Sequence, residues 1–370
     1  MAMRSKRKTR RGSDTTGGIG LITECTSRSA VGAVAIGRNE GQRLRACLES
    51  LVRDLDQVVY VDSGSDDDSL SIAQALGVEI VQLDTRNGFT AARARNAGIQ
   101  RLLEVAPGLE FVQFVDGDCE VVENWIDSGL SLLRENPQVA IACGRRREIE
   151  PTRNIYHQLA DMEWNATPGE THSCGGDALV RLEAFQQVGG YRESLIAGEE
   201  PELCTRLRKN GWKVWRLDRE MTLHDIRMTR FRQWWRRTVR AGHAYAEVAA
   251  LHGSLRERYR WRMLVGMWFW VLLPVAAIAL LPTLGVTTLL AVAIAYALLI
   301  LKGTIQRQRH HSESMSNSIL YAFSCALAKW PQALGTLKYL RNRISGSRSQ
   351  LMEYSQHAMQ TCDHQQSQQV

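Results

Sequence analysis

The sequence predicts an α/β domain built on a mostly parallel central sheet, followed by a helical hairpin able to cross a membrane. Three observations carry that reading. Short apolar runs alternate with helix-patterned segments from residue 31 onward, the pacing of a parallel sheet. The loops closing those runs are rich in carboxylates or arginines, and open parallel sheets bind ligands beyond their strand ends. Residues 263–281 and 284–301 are two apolar runs without a charge, separated by Pro282-Thr283.

The elements follow in order. Residues 1–29 are polar and basic and are expected to be a disordered tail. Residues 31–36 form a strand, Gly37-Arg38-Asn39-Glu40-Gly41 a loop, and Leu44, Cys47, Leu48 and Leu51 one face of a helix. A second strand, 57–61, is closed by an acidic loop from Asp62 to Asp68; a helix over 69–76 and a strand over 78–83 follow. Residues 88–103 open a helix of small residues, and the strand 111–115 runs into Asp116-Gly117-Asp118. A helix is expected over 121–135 and a strand over 139–143. Gly175-Gly176-Asp177, Gly189-Gly190-Tyr191 and Gly198-Glu199-Glu200 mark later loops. Residues 318–341 are apolar but are expected to be broken by Lys329 and Pro331, as in an interfacial helix. The expected division is thus a tail over 1–29, a catalytic domain over 30–250, a transmembrane hairpin over 263–302, an interfacial segment over 303–355 and a disordered end over 356–370.

An apolar fraction of 44% in 370 residues supports a real core. Each apolar run of the hairpin is long enough, at roughly 18 to 20 residues, to cross a bilayer as a helix; the competing reading is a buried hairpin of a soluble domain. Arg256, Arg258, Arg260 and Arg262 precede the first run, and Lys302, Arg307 and Arg309 follow the second. By the positive-inside rule both ends, and the domain before them, face the cytoplasm of a multi-pass inner-membrane protein. The net charge of +7 gathers in residues 4–11 and 227–262. Beside a membrane hairpin such a tail is expected to meet anionic lipid rather than nucleic acid. The eight cysteines show no Cys-x-x-Cys spacing and read as reduced thiols, not as a disulfide frame or zinc site.

Asp116-Gly117-Asp118 offers hard oxygen ligands to Mg²⁺ or Mn²⁺ at a strand end, where Gly117 lets the backbone turn tightly. By itself an Asp-Gly after a strand is more often a turn. Its neighbours decide. Ala35 to Glu40, Val61 to Asp67, Ala92 to Gly98, Asp116-Gly117-Asp118, Gly175-Gly176-Asp177 and Gly198 to Leu203 form an ordered set that resembles glycosyltransferase family 2 across residues 31–225. That family has the GT-A fold, a Rossmann-like domain of inverting nucleotide-diphospho-sugar transferases, and the chain is similar to its membrane-anchored bacterial type.

The resemblance implies that Ile36, Arg38, Glu40 and Asp62 hold the nucleoside, against the lesser reading of Asp62 as a turn cap. A carboxylate can accept from uracil, so a UDP-sugar is favoured as donor. Where many relatives read Asp-Asp-Gly-Ser this chain has Asp62-Ser63-Gly64-Ser65. Arg93, Arg95 and Asn96 are implied to fix the nucleotide, together with Asp116 and Gly117. Arginine presents a planar fork suited to phosphate, though a solvated helix face would carry Arg93 as well. Asp118, with Asp116 and His224, is implied to hold the cation. Glu200, with Glu199 as runner-up, is implied to be the base that takes the acceptor proton. Gly176, Asp177, Gln233 and Arg236 are implied to face a glycan or lipid-linked acceptor; Gln233-Trp234-Trp235-Arg236-Arg237 departs from the Gln-x-x-Arg-Trp pattern of processive members by ending in Arg237. A nucleotidyltransferase is disfavoured because Gly37-Arg38-Asn39-Glu40 is not a Gly-rich phosphate loop, and a non-catalytic scaffold because the acidic positions are intact.

Overall fold

The residues described by the computed structural model are 28–86, 88–252, 258–311 and 313–346. Both expected disordered ends, save Arg28 and Ser29, lie outside them, as do Arg256 and the last residues of the 303–355 segment.

Residues buried on both faces make the central strands, which is why they read as unbroken apolar runs. These are β1 (Val31–Gly37), β2 (Val58–Asp62) and β4 (Phe111–Asp116), with the part-buried β3 (Glu79–Gln82) at the outer edge beside β2. They lie in the order β3-β2-β1-β4, all parallel. Their crossovers are α1 (Gln42–Val52), α2 (Ser69–Ala75) and α3 (Ala91–Val105). Helix α1 buries the four residues picked out by spacing, Leu44, Cys47, Leu48 and Leu51. Helix α3 is rich in small residues because it lies against the sheet at backbone range: a Cβ at Gly98 would collide with Val34.

Beyond β4 the sheet is mixed. β5 (Cys119–Val121) and α4 (Trp125–Glu135) follow, then β6 (Val139–Glu148), α5 (Ile155–Trp164), β7 (Gly169–Glu170) and β8 (Ala178–Arg181). α6 (Leu182–Gln187), α7 (Glu199–Lys209) and β9 (Lys213–His224) complete the domain. The order continues β4-β8-β6-β9-β5, with β7 paired to β9. Strands β8, β5 and β7 run antiparallel to their partners, and β6 runs parallel to β9.

Two local expectations change. The helix expected from 121 starts at Trp125, because Cys119–Val121 pairs with β9 instead, placing Cys119 opposite His224. The strand expected over 139–143 continues to Glu148, carrying three arginines along the sheet.

Helix α8 (Phe231–Leu251) leads to α9 (Arg258–Ala279), the short α10 (Leu281–Leu284), α11 (Thr287–His310) and α12 (Met315–Ser345). Trp261–Ala279 and Thr287–His310 are long and apolar enough to cross a membrane. They are not buried as a soluble hairpin would be: Val265, Phe269, Leu272 and Val275 of α9 and Leu290, Ile294, Leu298 and Leu301 of α11 are exposed. The expected break at Pro331 does not occur, and α12 runs through it. Proline removes one intrahelical hydrogen bond, but packing against α8 directly after it holds the helix. A Cβ at Gly242 would overlap the Gln332 backbone, and one at Gly335 the Val239 carbonyl. The two helices therefore cross almost backbone to backbone.

Helix α5 joins these helices to the sheet. Arg307, at the end of α11, donates to Met162 O at 2.7 Å and pairs with Glu313 at 2.5 Å. Gln158 of α5 donates to Asn317 of α12 at 3.0 Å, and Arg237 of α8 pairs with Glu163 at 2.7 Å.

Candidate active site

The parallel register aligns Asp116 with Ile36 at the sheet's edge. Gly117 N–H donates to Ile36 O at 2.7 Å, and a Cβ there would stand 3.0 Å from that oxygen. Asp116 turns into a buried ionic cluster. Its Oδ1 accepts from Arg95 at 2.7 Å and its Oδ2 from Arg146 at 3.1 Å, while its N–H donates to Asp177 Oδ1 at 3.0 Å. Burial opposes its ionisation, but Arg95 and Arg146 outweigh that and hold the carboxyl below its usual range.

Asp118 faces the other way, toward β9. Its Oδ2 lies 3.1 Å from His224 Nε2 and 3.6 Å from Arg43 Nη1. Burial works against the charge here too, yet His224 and Arg43 keep Asp118 low. Arg43 also pairs with Glu40 and donates to Asp225 O at 3.2 Å. Burial, then repulsion from Asp118, pushes Glu40 up to about 7.

A hard divalent cation fits this donor set. Asp118 and His224 present carboxylate and imidazole atoms within 4.8 Å of one another, with Cys119 as a third neighbour. Carboxylate suits Mg²⁺ and Mn²⁺, and imidazole is accepted by the latter. The Cys119 thiol, pushed up by burial, stays protonated and sits 3.5 Å from Asp118 Oδ1 as a weak donor.

Glu199 and Glu200 open α7 after Gly198, whose φ of +81° favours glycine. A Cβ at Gly198 would stand 3.0 Å from Ala244 Cβ, so this loop rests directly on α8. Arg95 Nη1 lies 3.0 Å from Glu199 and 3.2 Å from Glu200, which makes one guanidinium the link between Asp116 and both glutamates. Of the two, Glu200 is the more open to solvent, with side-chain exposures of 15% against 5%. Burial and the neighbouring Glu199 raise Glu200 to about 7.

Several expected ligand residues are engaged by the protein itself. Asp62 is 2% exposed. It accepts from Tyr60 OH at 3.0 Å, Ser65 Oγ at 2.5 Å, Gly64 N at 3.0 Å and Ser65 N at 2.9 Å. All four lone-pair directions are taken, so it shapes its own loop rather than offering a free carboxylate. Asn96 clips the 189–193 loop, donating to Tyr191 O at 2.9 Å and accepting from Tyr191 N at 3.0 Å. Arg93 donates to the carbonyls of Gly88 and of Asp84, the latter at 3.2 Å. Arg38 remains at the surface, 4.8 Å over the Phe89 ring. Ile36 is a core side chain that contributes its carbonyl.

The four expected acceptor positions do not come together as one surface. Asp177 is fully buried, accepting from Arg146 at 2.9 Å and Thr222 at 2.6 Å. Gly176 makes room for the cluster: a Cβ there would lie 2.5 Å from Arg95 Nη2 and 2.7 Å from Asp116. Gln233 caps α8, accepting from Thr229 N and Arg230 N at 2.9 Å each. Arg236 is half-buried on the same helix.

Sequence reasoning missed Arg43, Arg146, Glu148 and Trp164. A signal was present in Arg145-Arg146-Arg147 directly after a buried strand. Alternation sends the outer two to Asp161, at 3.1 and 2.9 Å, and Arg146 to the opposite face.

Residues 34–194 match the family model described as glycosyl transferase family 2. The chain is 28% identical over 197 residues to the succinoglycan biosynthesis protein ExoA of Rhizobium meliloti, covering 49% of this chain and 58% of that one. It is also 28% identical over 230 residues to the pre-mycofactocin glycosyltransferase of Mycobacterium tuberculosis, covering 58% and 46% respectively. It therefore spans about half the length of these curated relatives. Among solved structures, a mannosyltransferase of Pyrobaculum calidifontis in complex with GDP-Man and Mn²⁺ superposes with a TM-score of 0.51 at 18% identity, covering 84% of this chain and 87% of that one. That likeness gives the GT-A fold.

Proposed function

We propose, from the premise that residues 34–194 match the glycosyl transferase family 2 model, that the protein transfers a sugar, with inversion, from a nucleoside-diphosphate donor to a glycan or lipid-linked acceptor at a membrane surface. The observation that carries this reading is Arg95, whose guanidinium binds Asp116 on one side and the Glu199-Glu200 pair on the other. A leaving-group site and a base are thus tied into one rigid unit.

In the proposed step the Glu200 carboxylate takes the proton of the acceptor hydroxyl. The acceptor oxygen bonds to the anomeric carbon from the face opposite the diphosphate, and the sugar–phosphate C–O bond breaks with its electron pair going to the diphosphate. Glu200, poised near 7, has the basicity that general-base catalysis at neutral pH needs. Mg²⁺ or Mn²⁺, held by Asp118 and His224 with Asp116 beside them, would supply the positive charge the departing diphosphate requires. Arg43 keeps Asp118 charged, and Arg146 and Arg95 hold Asp116. Glu40 and Arg38 line the nucleoside side. With Asp62 closed on its own loop, the reading extends to a nucleoside-diphosphate sugar and rests the uridine preference on the donor assay.

The domain division proposed is a transferase unit over 30–250, a hairpin crossing the membrane over 263–302 and an interfacial segment over 303–355. Its support is the exposed apolar faces of α9 and α11, too large for a soluble surface, and the cationic ends that put the transferase on the cytoplasmic side. The decisive experiment is release of nucleoside diphosphate from a panel of UDP- and GDP-sugars with Mn²⁺, comparing the protein with Asp118→Ala and Glu200→Gln. Turnover near that of the unmodified protein in either variant removes the corresponding role.

A further inference from the structure

We propose that Glu148 is the positioning residue that fixes the His224 ring for a divalent cation, with His157 as its buried counterpart. The inference rests on the cation site proposed above.

The transfer chemistry makes no use of Glu148, yet the fold buries it completely. It ends β6 directly beside His224 of β9 in the ladder, and its side chain is 0% exposed. Its Oε2 accepts from Ile226 N at 3.2 Å and lies 4.0 Å from His224 Nδ1. Its Oε1 lies 3.0 Å from Nδ1 of His157, itself wholly buried. A carboxylate placed so deep costs stability unless it is paired and hydrogen-bonded.

His224 supplies the reason. Its Nε2 points at Asp118, 3.1 Å away, while its Nδ1 is buried and makes no hydrogen bond. An imidazole can bind a metal through Nε2 only if the ring proton resides on Nδ1, and that proton needs an acceptor. Glu148 is the acceptor within reach: closing about 1 Å would bring the 4.0 Å separation to hydrogen-bond length.

The ring's other side is also held. Trp164 meets it edge-on at 4.8 Å between centroids. His157, Asp161 and Trp164 occupy one face of α5 and touch Glu148, the β6 arginines and His224 in turn. Helix α5 is thus a brace along the back of the candidate metal ligand.

The test uses the full chain purified in detergent, with free Mn²⁺ followed by electron paramagnetic resonance. We expect Glu148→Gln, which preserves shape and removes charge, to weaken Mn²⁺ binding about 10- to 100-fold, and Asp118→Asn to weaken it at least as much. If the unmodified protein and Asp118→Asn bind Mn²⁺ equally, the cation site itself falls, and this inference with it. If Asp118→Asn loses Mn²⁺ but Glu148→Gln binds within about twofold of the unmodified protein, less than the range typical of such partners, only the Glu148 role is overturned. Should Glu148→Gln fail to fold, nitrogen-15 spectra of histidine-labelled unmodified protein with Mg²⁺ and a nucleoside diphosphate decide. With His224 identified by His224→Gln, the Nδ1–H tautomer supports the proposal and the Nε2–H tautomer overturns it.

Discussion

Arg95 and Glu200 lie 3.2 Å apart in a part of the molecule where Arg95 is only 2% exposed. An ion pair this close would ordinarily hold a carboxylate well below neutrality, yet Glu200 stands at about 7. Burial and the adjacent Glu199 outweigh the guanidinium, which must also serve Asp116. Glu200→Gln is expected to lower kcat about 10²- to 10⁴-fold with little change in donor binding. In the unmodified protein kcat should rise with pH through about 7 as the base ionises. A flat profile from pH 6 to 8 would remove Glu200 as the base.

The same carboxylate should make the folded protein less stable at high pH. Its folded value lies above the unfolded one of about 4.3, so the native state holds the extra proton between there and about 7. Stability contributed by this group therefore falls as pH rises through that window. Glu200→Gln should flatten the dependence and raise the melting temperature at pH 8 by roughly 2–4 °C, the shift that about 1 kcal/mol produces. Thermal scans at pH 5, 6.5 and 8 check this.

Asp118→Asn should reduce Mn²⁺-dependent turnover by about 100- to 1000-fold, the scale of several kcal/mol of charge stabilisation. Chelation of the unmodified protein should produce a comparable loss, restored by added Mn²⁺. Activity that survives chelation sinks the metal role.

How much of this could be read from the chain alone depends on side-chain direction. The alternation of strands and helices, the Asp116-Gly117-Asp118 turn and the Gly198-Glu199-Glu200 loop are local patterns: the turn closes β4 and the loop opens α7. Asp62 and Asn96 were equally conspicuous, but nothing in the sequence says whether a polar side chain turns outward or folds back on its own loop. Arg146 was hidden for the opposite reason: a strand ending in three arginines looks like a solvated end. Only the register with β9 reveals that the middle one points inward. Pro331 misled because α12 is held by packing against α8, a long-range fact that outweighs local propensity.

Gly176→Ala separates two views of the Gly175-Gly176-Asp177 loop. The new Cβ would lie 2.5 Å from Arg95 and 2.7 Å from Asp116, so we expect a stability loss of about 1–3 kcal/mol together with a lower kcat. An effect confined to acceptor KM, with the melting temperature unchanged, would instead return Gly176 to the acceptor site.

Gly335→Leu should separate α12 from α8, since even a Cβ there meets the Val239 carbonyl. Limited proteolysis in detergent should then cut within α12 at protease levels that leave the unmodified protein intact. Resistance equal to that of the unmodified protein would mean the crossing relaxes without opening.

The grip of Arg307 on the end of α5 turns a membrane anchor into a ruler. On the proposed placement, residues 302–307 of α11 rise about 9 Å at ~1.5 Å per residue between Leu301, where the uncharged apolar run ends, and the helix that braces His224. The cleft is then held at a set altitude above the lipid, and acceptor choice becomes partly a question of height: which hydroxyl of a membrane-borne glycan stands at the level where Glu200 waits.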